Sequence, residues 1–289
     1  MQALEHLSDH DLALLARVAS SNGRGGQGVE ELRSRPGAVE ELLRERATFD
    51  AVLGDRGRVE PFVPASPFLT FAVAVQRCAD ELRSAPFVHE WLGPRQRVAV
   101  FDVGQLRDFL AGPERRLFLA ELLASYTKVT SGSFLVQTRR GWRRRRFSEL
   151  DPVRLASLLE VVPDAERAGV YRRLGDLALF LTGVFPDHTA ARACGQVDAA
   201  RLMRAARLTT EPPAAELSGK REWAAVALME ELGRRWYRLA ASGATSPTAA
   251  LGLVEEVAAR FTHARRILNL LTDSYLFPFR GRWFPAPGR

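Results

Sequence analysis

The sequence predicts a mainly α protein, a multi-helix compact bundle that carries one small β-hairpin at about 133–148. Three observations predict it. Apolar residues recur at helical spacing along most of the chain. Residues 170–187, VYRRLGDLALFLTGVFPD, hold no charge from Leu177 to Phe185 and are apolar on nearly every side. A convincing period-two pattern occurs once, in the stretch around Phe134, Val136 and Thr138.

The second observation supplies the centre. A helix that is apolar all round is buried on several sides. The uncharged run is nine residues, far short of the ~20 that cross a bilayer. Residues 165–185 therefore read as the central helix of a packed core.

The elements follow in order. Ser8 with Asp11 makes an approximate capping box for a first helix, which stops before the glycine-rich loop 21–28. That loop lacks the GxxxxGK[ST] order of a phosphate cradle, and no strand precedes it. Pro36 opens a second long helix that Gly54 ends. Ser66 and Pro67 start a third, running to about Arg83. Pro86 begins a short helix ending at Gly93, and Arg97–Phe101 is a short strand or connector. Asp102 caps a helix closed by Gly112 and Pro113. The next spans Glu114–Thr130, with Gly132 just past its end. The hairpin turns near Arg139–Trp142, and Asp151-Pro152 starts a helix to Val161. After the central helix, residues 187–208 are helical with a break near Gly195, and 209–220 are a loop. Trp223, Val226, Met229, Gly233, Trp236 and Ala240 mark a long helix. Ser246-Pro247 starts a last one to about Tyr275. The tail LFPFRGRWFPAPGR, rich in aromatics, docks over the core by default. With no internal repeat and no long linker, 1–289 reads as a single helical domain, or as two lobes, 1–132 and 149–289, flanking the hairpin.

Composition narrows the function classes. The chain is 46% hydrophobic and 26% charged, as globular proteins are. Cys78 and Cys194 have no CxxC spacing and read as small buried hydrophobes rather than a disulfide framework or zinc site. The start, MQALEHLSDHDLALL, has no basic region before an apolar core, so it is not a secretory signal and a cytoplasmic protein is expected. The net charge is +7, and six arginines lie between Arg139 and Arg146. Almost the whole excess thus sits on one ribbon, which turns a global basic character into a local patch.

The words RRLFLAELLASYT (115–127) and YRRLGDLALFLTGVFPDH (171–188), and more loosely SPFLTFAVAV (66–75), resemble an uncharacterised, mostly helical bacterial family. The likeness covers about half the chain, and LGDxALFLxGxFP is its most specific part. It implies a mostly helical, stand-alone bacterial protein; no established activity, cofactor or catalytic residue comes with it.

Two candidate sites emerge. On the hairpin, Arg139, Arg140, Arg143, Arg144, Arg145 and Arg146 repel one another and resist burial, so they face solvent or an anionic partner. Trp142 among them can stack on a base, and guanidinium grips phosphate with two parallel hydrogen bonds. Nucleic acid and an acidic protein surface are the partners this suggests. A solvated edge hairpin, its charges blocking edge-to-edge pairing, is the structural alternative. The second candidate is a pocket beside the central helix, with Arg172, Asp176 and His188. It would suit an all-α enzyme or small-molecule binder, though Arg172 and Asp176 at i, i+4 also suit a structural ion pair.

No HExxH or GxSxG arrangement exists. His6 and His10 straddle the start of the first helix, which spoils them as a metal pair. No catalytic residue, cofactor, metal or membrane partner is therefore expected, and the leading reading is a non-enzymatic binding or regulatory protein. The hairpin and the aromatic tail are both candidate contacts for a homo-oligomer.

Overall fold

The computed structural model describes residues 3–22, 28–54, 65–138, 141–191, 196–208, 221–243, 248–277 and 280–285. It is mainly α with a few short strands. The chain divides into two compact units, Met1–Val88 with Phe101–Thr127, and His89–Val100 with Lys128–Arg289.

The first unit holds α1 (Asp9–Ser21), α2 (Val29–Ser34), α3 (Pro36–Arg44), α4 (Arg46–Leu53), α5 (Pro67–Ser84), α6 (Gly104–Ala111) and α7 (Pro113–Ser125). Its core helix is α5, buried without interruption from Phe68 to Gln76 and packed against α3, α4, α6 and α7. One buried carboxylate ties two helix starts together. Asp11 Oδ2 accepts from the Ser8 amide at 3.0 Å, and Asp11 Oδ1 accepts from the Ser66 amide at 2.8 Å. The orphan amides of α1 and α5 are thereby satisfied inside the fold. Cys78 lies in this core, where burial pushes its thiol up to about 12, so it is an uncharged packing group at neutral pH.

The second unit holds β1 (Val88–Gly93, whose first residue belongs to the other unit), β2 (Gln96–Val100), β3 (Ser131–Thr138) and β4 (Gly141–Ser148). Its helices are α8 (Pro152–Ala156), α9 (Arg167–Val184), α10 (Pro186–Ala191), α11 (Gln196–Ala205), α12 (Arg221–Ser242), α13 (Ala249–Ala259), α14 (Phe261–Leu271) and α15 (Arg280–Trp283). The central helix of the sequence is α9. Every residue from Leu174 to Val184 is buried, against α12, α14, α10 and α8. Three glycines permit the close approach. A Cβ on Gly175 would stand 2.5 Å from Tyr237 Cδ1, one on Gly183 2.6 Å from Leu268 Cβ, and one on Gly233 2.9 Å from Ala178 Cβ. The described part of the tail docks through Leu276 and Phe284, while Phe277 is 65% exposed. Phe284 is buried with its ring 5.1 Å from that of Phe180.

Several boundaries differ from the sequence reading. Val88–Gly93 is a strand, not a helix, because Trp91 is held by its Nε1 donating to Asp187 Oδ1 at 2.6 Å, and Arg95 at φ 58° supplies the tight turn into β2. The second helix is broken at Glu45, whose ψ of 135° re-aims the buried face from Leu42 and Leu43 to Thr48 and Val52. Val103, not Asp102, occupies the cap of α6. Helix α7 ends at Ser125, and Gly132 lies in β3, where Phe147 covers it. The last helix is two, parted at Arg260, and a π turn (Thr272–Leu276) follows α14. The expected cap Ser246-Pro247, Cys194 and the loop 209–220 lie outside the described residues, and Thr248 caps α13.

Candidate functional site

The arginine hairpin forms as its alternation predicts. Strands β3 and β4 pair antiparallel, with Ser133 opposite Arg146, Leu135 opposite Arg144 and Gln137 opposite Trp142. Directly opposed residues share a face. One face therefore presents Ser133, Leu135, Gln137, Trp142, Arg144 and Arg146, and all six are exposed. Trp142 is 67% and Leu135 61% exposed. The other face carries the half-buried Phe134, Val136 and Phe147, with Arg143. Arg144 Nε donates to Ser133 Oγ at 2.7 Å, which fixes that guanidinium on the open face. Among the described residues no carboxylate stands within ion-pair distance of Arg143, Arg144 or Arg146. Arg139, Arg140 and the side chain of Arg145 lie outside the described set.

The ribbon leads into a cleft. Asp151 Oδ1 accepts from the amides of Val153 and Arg154, both at 3.1 Å, and so starts α8. Helix α8 packs on β4, α9 and α11. Around it opens a concavity of about 900 Å³, lined by β4, α8, the 3₁₀ turn Ser157–Glu160, the first turn of α9 and the end of α11. Six of the lining residues are arginines: Arg146, Arg154, Arg167, Arg201, Arg204 and Arg207. Glu160 is the one acid among the described lining residues. Three guanidiniums have local partners, Arg154 with Asp151 at 3.1 Å, Arg167 with Asp164 at 2.7 Å and Arg201 with Asp198 at 3.5 Å. Arg204, like Arg146, has no carboxylate partner among the described residues.

Arg207 is held by its backbone. Its φ of 55° is left-handed, which costs a residue with a Cβ about 1 kcal/mol. The turn sets its guanidinium over the Tyr171 ring, 5.9 Å from the centroid. Such a contact returns roughly 0.5–1 kcal/mol at an exposed position, so the strain is largely offset and the charge stays at the cleft. The described wall gathers permanently charged donors in a concave site, a chemistry that suits anions.

No protein-family model, no curated protein and no solved structure matches this chain.

The other residues singled out from sequence lie elsewhere. Arg172 Nε donates to Asp176 Oδ1 at 2.9 Å, and the Tyr237 hydroxyl donates to the same oxygen at 2.7 Å. Asp176 is 9% exposed and the Arg172 guanidinium lies 5.8 Å from the Tyr237 ring. The trio joins α9 to α12. His188 sits on α10, and neither it nor Arg172 or Asp176 lines the cleft. A second cavity, in the first unit, has a volume of about 30 Å³, the space of a water molecule. His6 pairs with Glu121 at 2.7 Å, and no group of three or more metal-ligating side chains occurs among the described residues. No described helix is long and apolar enough to cross a membrane.

Sequence reasoning missed the far wall of the cleft. Arg201, Arg204 and Arg207 recur every third residue in RLMRAAR, a basic stripe visible in the sequence. Leu202 and Ala206 between them are fully buried.

Proposed function

We propose that this chain is a non-enzymatic binding protein that contacts nucleic acid through the arginine face of β4 and the cleft that continues it. The observation that carries the reading is the cleft: about 900 Å³, with six arginines and one acid among the described residues of its wall. Counterion release from phosphates makes such a surface bind polyanions with a steep salt dependence. The adjoining Trp142 favours nucleic acid over an acidic protein, because an exposed indole among cations is a stacking surface for bases. The cysteine spacing, with no disulfide framework in the sequence, supports a reducing, cytoplasmic setting.

Fluorescence anisotropy with labelled oligonucleotides, single- and double-stranded, tests this at several salt concentrations. Binding is expected at low salt and weakens as salt rises. Replacing Arg144 and Arg146 by serine should weaken it and reduce the log–log salt slope by about 1.5. Absence of binding to every oligonucleotide at low salt, or an unchanged affinity in the double variant, would overturn the proposal.

A further inference from the structure

The shape of the basic surface narrows the ligand further, on the reading that this surface binds nucleic acid. A volume of 900 Å³ is at the upper end of the roughly 300–1,000 Å³ that encloses one small-molecule ligand. It has room for about two nucleotides of an open strand. A duplex holds its phosphates on a stiff, convex cylinder, whereas an open strand can bend along a concave wall and bring its phosphates to arginines of β4, α8, α9 and α11 together.

The bases have their own platform. Trp142 and Leu135 are the two large apolar side chains exposed on the open face of the ribbon, beside Arg144 and Arg146. In a duplex, base faces are stacked on one another and out of reach. In a single strand they are free, and every base offers a π-face to an indole. The ribbon runs into the cleft at Arg146. A strand leaving the cleft therefore passes over Arg144 and reaches Trp142 two residues along the same face.

We infer that the site takes single-stranded nucleic acid, with successive phosphates on the cleft arginines and an emerging base stacked on Trp142. Specificity for sequence is not part of the arrangement, because neither guanidinium–phosphate contacts nor stacking reads base identity.

The test compares labelled single strands of DNA and RNA with the duplex of the same sequence, for the native chain and for Trp142→Ala and Trp142→Phe. Trp142 is exposed, so neither change disturbs the core, and thermal melting checks this. The single strands should bind at least about tenfold tighter than the duplex. Trp142→Ala should lose about tenfold in single-strand affinity with the salt slope unchanged, and Trp142→Phe should keep most of it. Equal binding of duplex and single strand, or no effect of Trp142→Ala, would overturn the inference while leaving nucleic-acid binding in place. Failure of both forms to bind would remove the underlying function as well. Competition by ATP or inorganic polyphosphate as effective, per phosphate, as the unlabelled strand would assign the cleft to free phosphate compounds and so overturn it too.

Discussion

Asp176 shows how a single residue can satisfy two helices. Its carboxylate is buried, and one oxygen accepts from both Arg172 on its own helix and Tyr237 on α12. The Arg172 pairing was legible in the sequence, because i, i+4 spacing on a helix brings two side chains together. Tyr237 was not. It follows Trp236, and both are fully buried. A stripe read at helical period admits only one of two neighbours, so the crowding of α12 on several sides was hidden. Tyr237→Phe removes the hydroxyl and keeps the ring. It should cost about 1.5–3 kcal/mol, the worth of a hydrogen bond to a charged group, read as a lowered urea midpoint with an unchanged m-value. An unaltered midpoint would show that water replaces the hydroxyl at Asp176.

A second polar network does similar work between α12 and α14. Glu230 Oε2 accepts from Arg265 Nε at 3.0 Å, and Arg265 in turn donates to Asn269 at 2.9 Å. Asn269 Nδ2 donates to the carbonyls of Thr182 and Gly183, in the last turn of α9. Those carbonyls have no partner within their own helix, so a side chain from α14 completes α9. Neither Glu230 nor Asn269 announces this in the sequence, since the contact exists only once the helices have packed.

At the scale of elements, the glycines of α9 and α12 decide how closely helices approach. Gly183→Ala would place a methyl group 2.6 Å from Leu268 Cβ, an atom fixed by the backbone of α14. Overpacking of this kind costs about 1–3 kcal/mol, more than the roughly 1 kcal/mol that alanine gains in helix propensity. Gly169, in the first turns of the same helix, has nothing within 4 Å of a built Cβ. Gly169→Ala should therefore raise stability by up to about 1 kcal/mol while Gly183→Ala lowers it. Opposite signs in paired denaturation curves are the expected outcome, and two stabilising changes would contradict the packing account.

The elements that sequence reasoning placed best were those with a local cause. The capping box of Ser8 and Asp11, the Ser66-Pro67 start of α5 and the Asp151 cap of α8 are all present. The hairpin was legible because alternation is a property of adjacent residues. Strand β1 was misread because Pro86 resembles a helix start, and what holds Val88–Gly93 extended is distant in sequence, namely Asp187 and the Glu90–Arg266 pair.

At the scale of the whole molecule, the +7 charge is the feature on which the proposed function rests. The six arginines between 139 and 146 were evident from counting alone. Their continuation into a cleft was not. Arg154, Arg167, Arg201, Arg204 and Arg207 come from three further helices and the turn after one of them. Arginines elsewhere in the described chain pair with carboxylates, such as Arg33 with Asp9 and Arg97 with Asp273, as Arg154, Arg167 and Arg201 also do in the cleft. The cleft differs in gathering six guanidiniums on one concave wall, where Glu160 is the one acid among the described lining residues. Arginine suits the proposed phosphate contacts better than lysine, since its planar fork grips phosphate with two parallel hydrogen bonds and loses less freedom for each.

The claim on which this account rests is that the ribbon and the cleft act as one phosphate-binding surface. The most direct measurement is the salt dependence of single-strand affinity in a variant carrying Arg201→Ser, Arg204→Ser and Arg207→Ser, none of which lies on the ribbon. The account predicts weaker binding and a log–log slope shallower by about 1, because a cleft with room for about two nucleotides brings at most two phosphates to these arginines and each phosphate of a single strand adds ~0.7 to the slope. A slope and affinity equal to those of the native chain would show that the cleft takes no phosphate and that the ribbon acts alone.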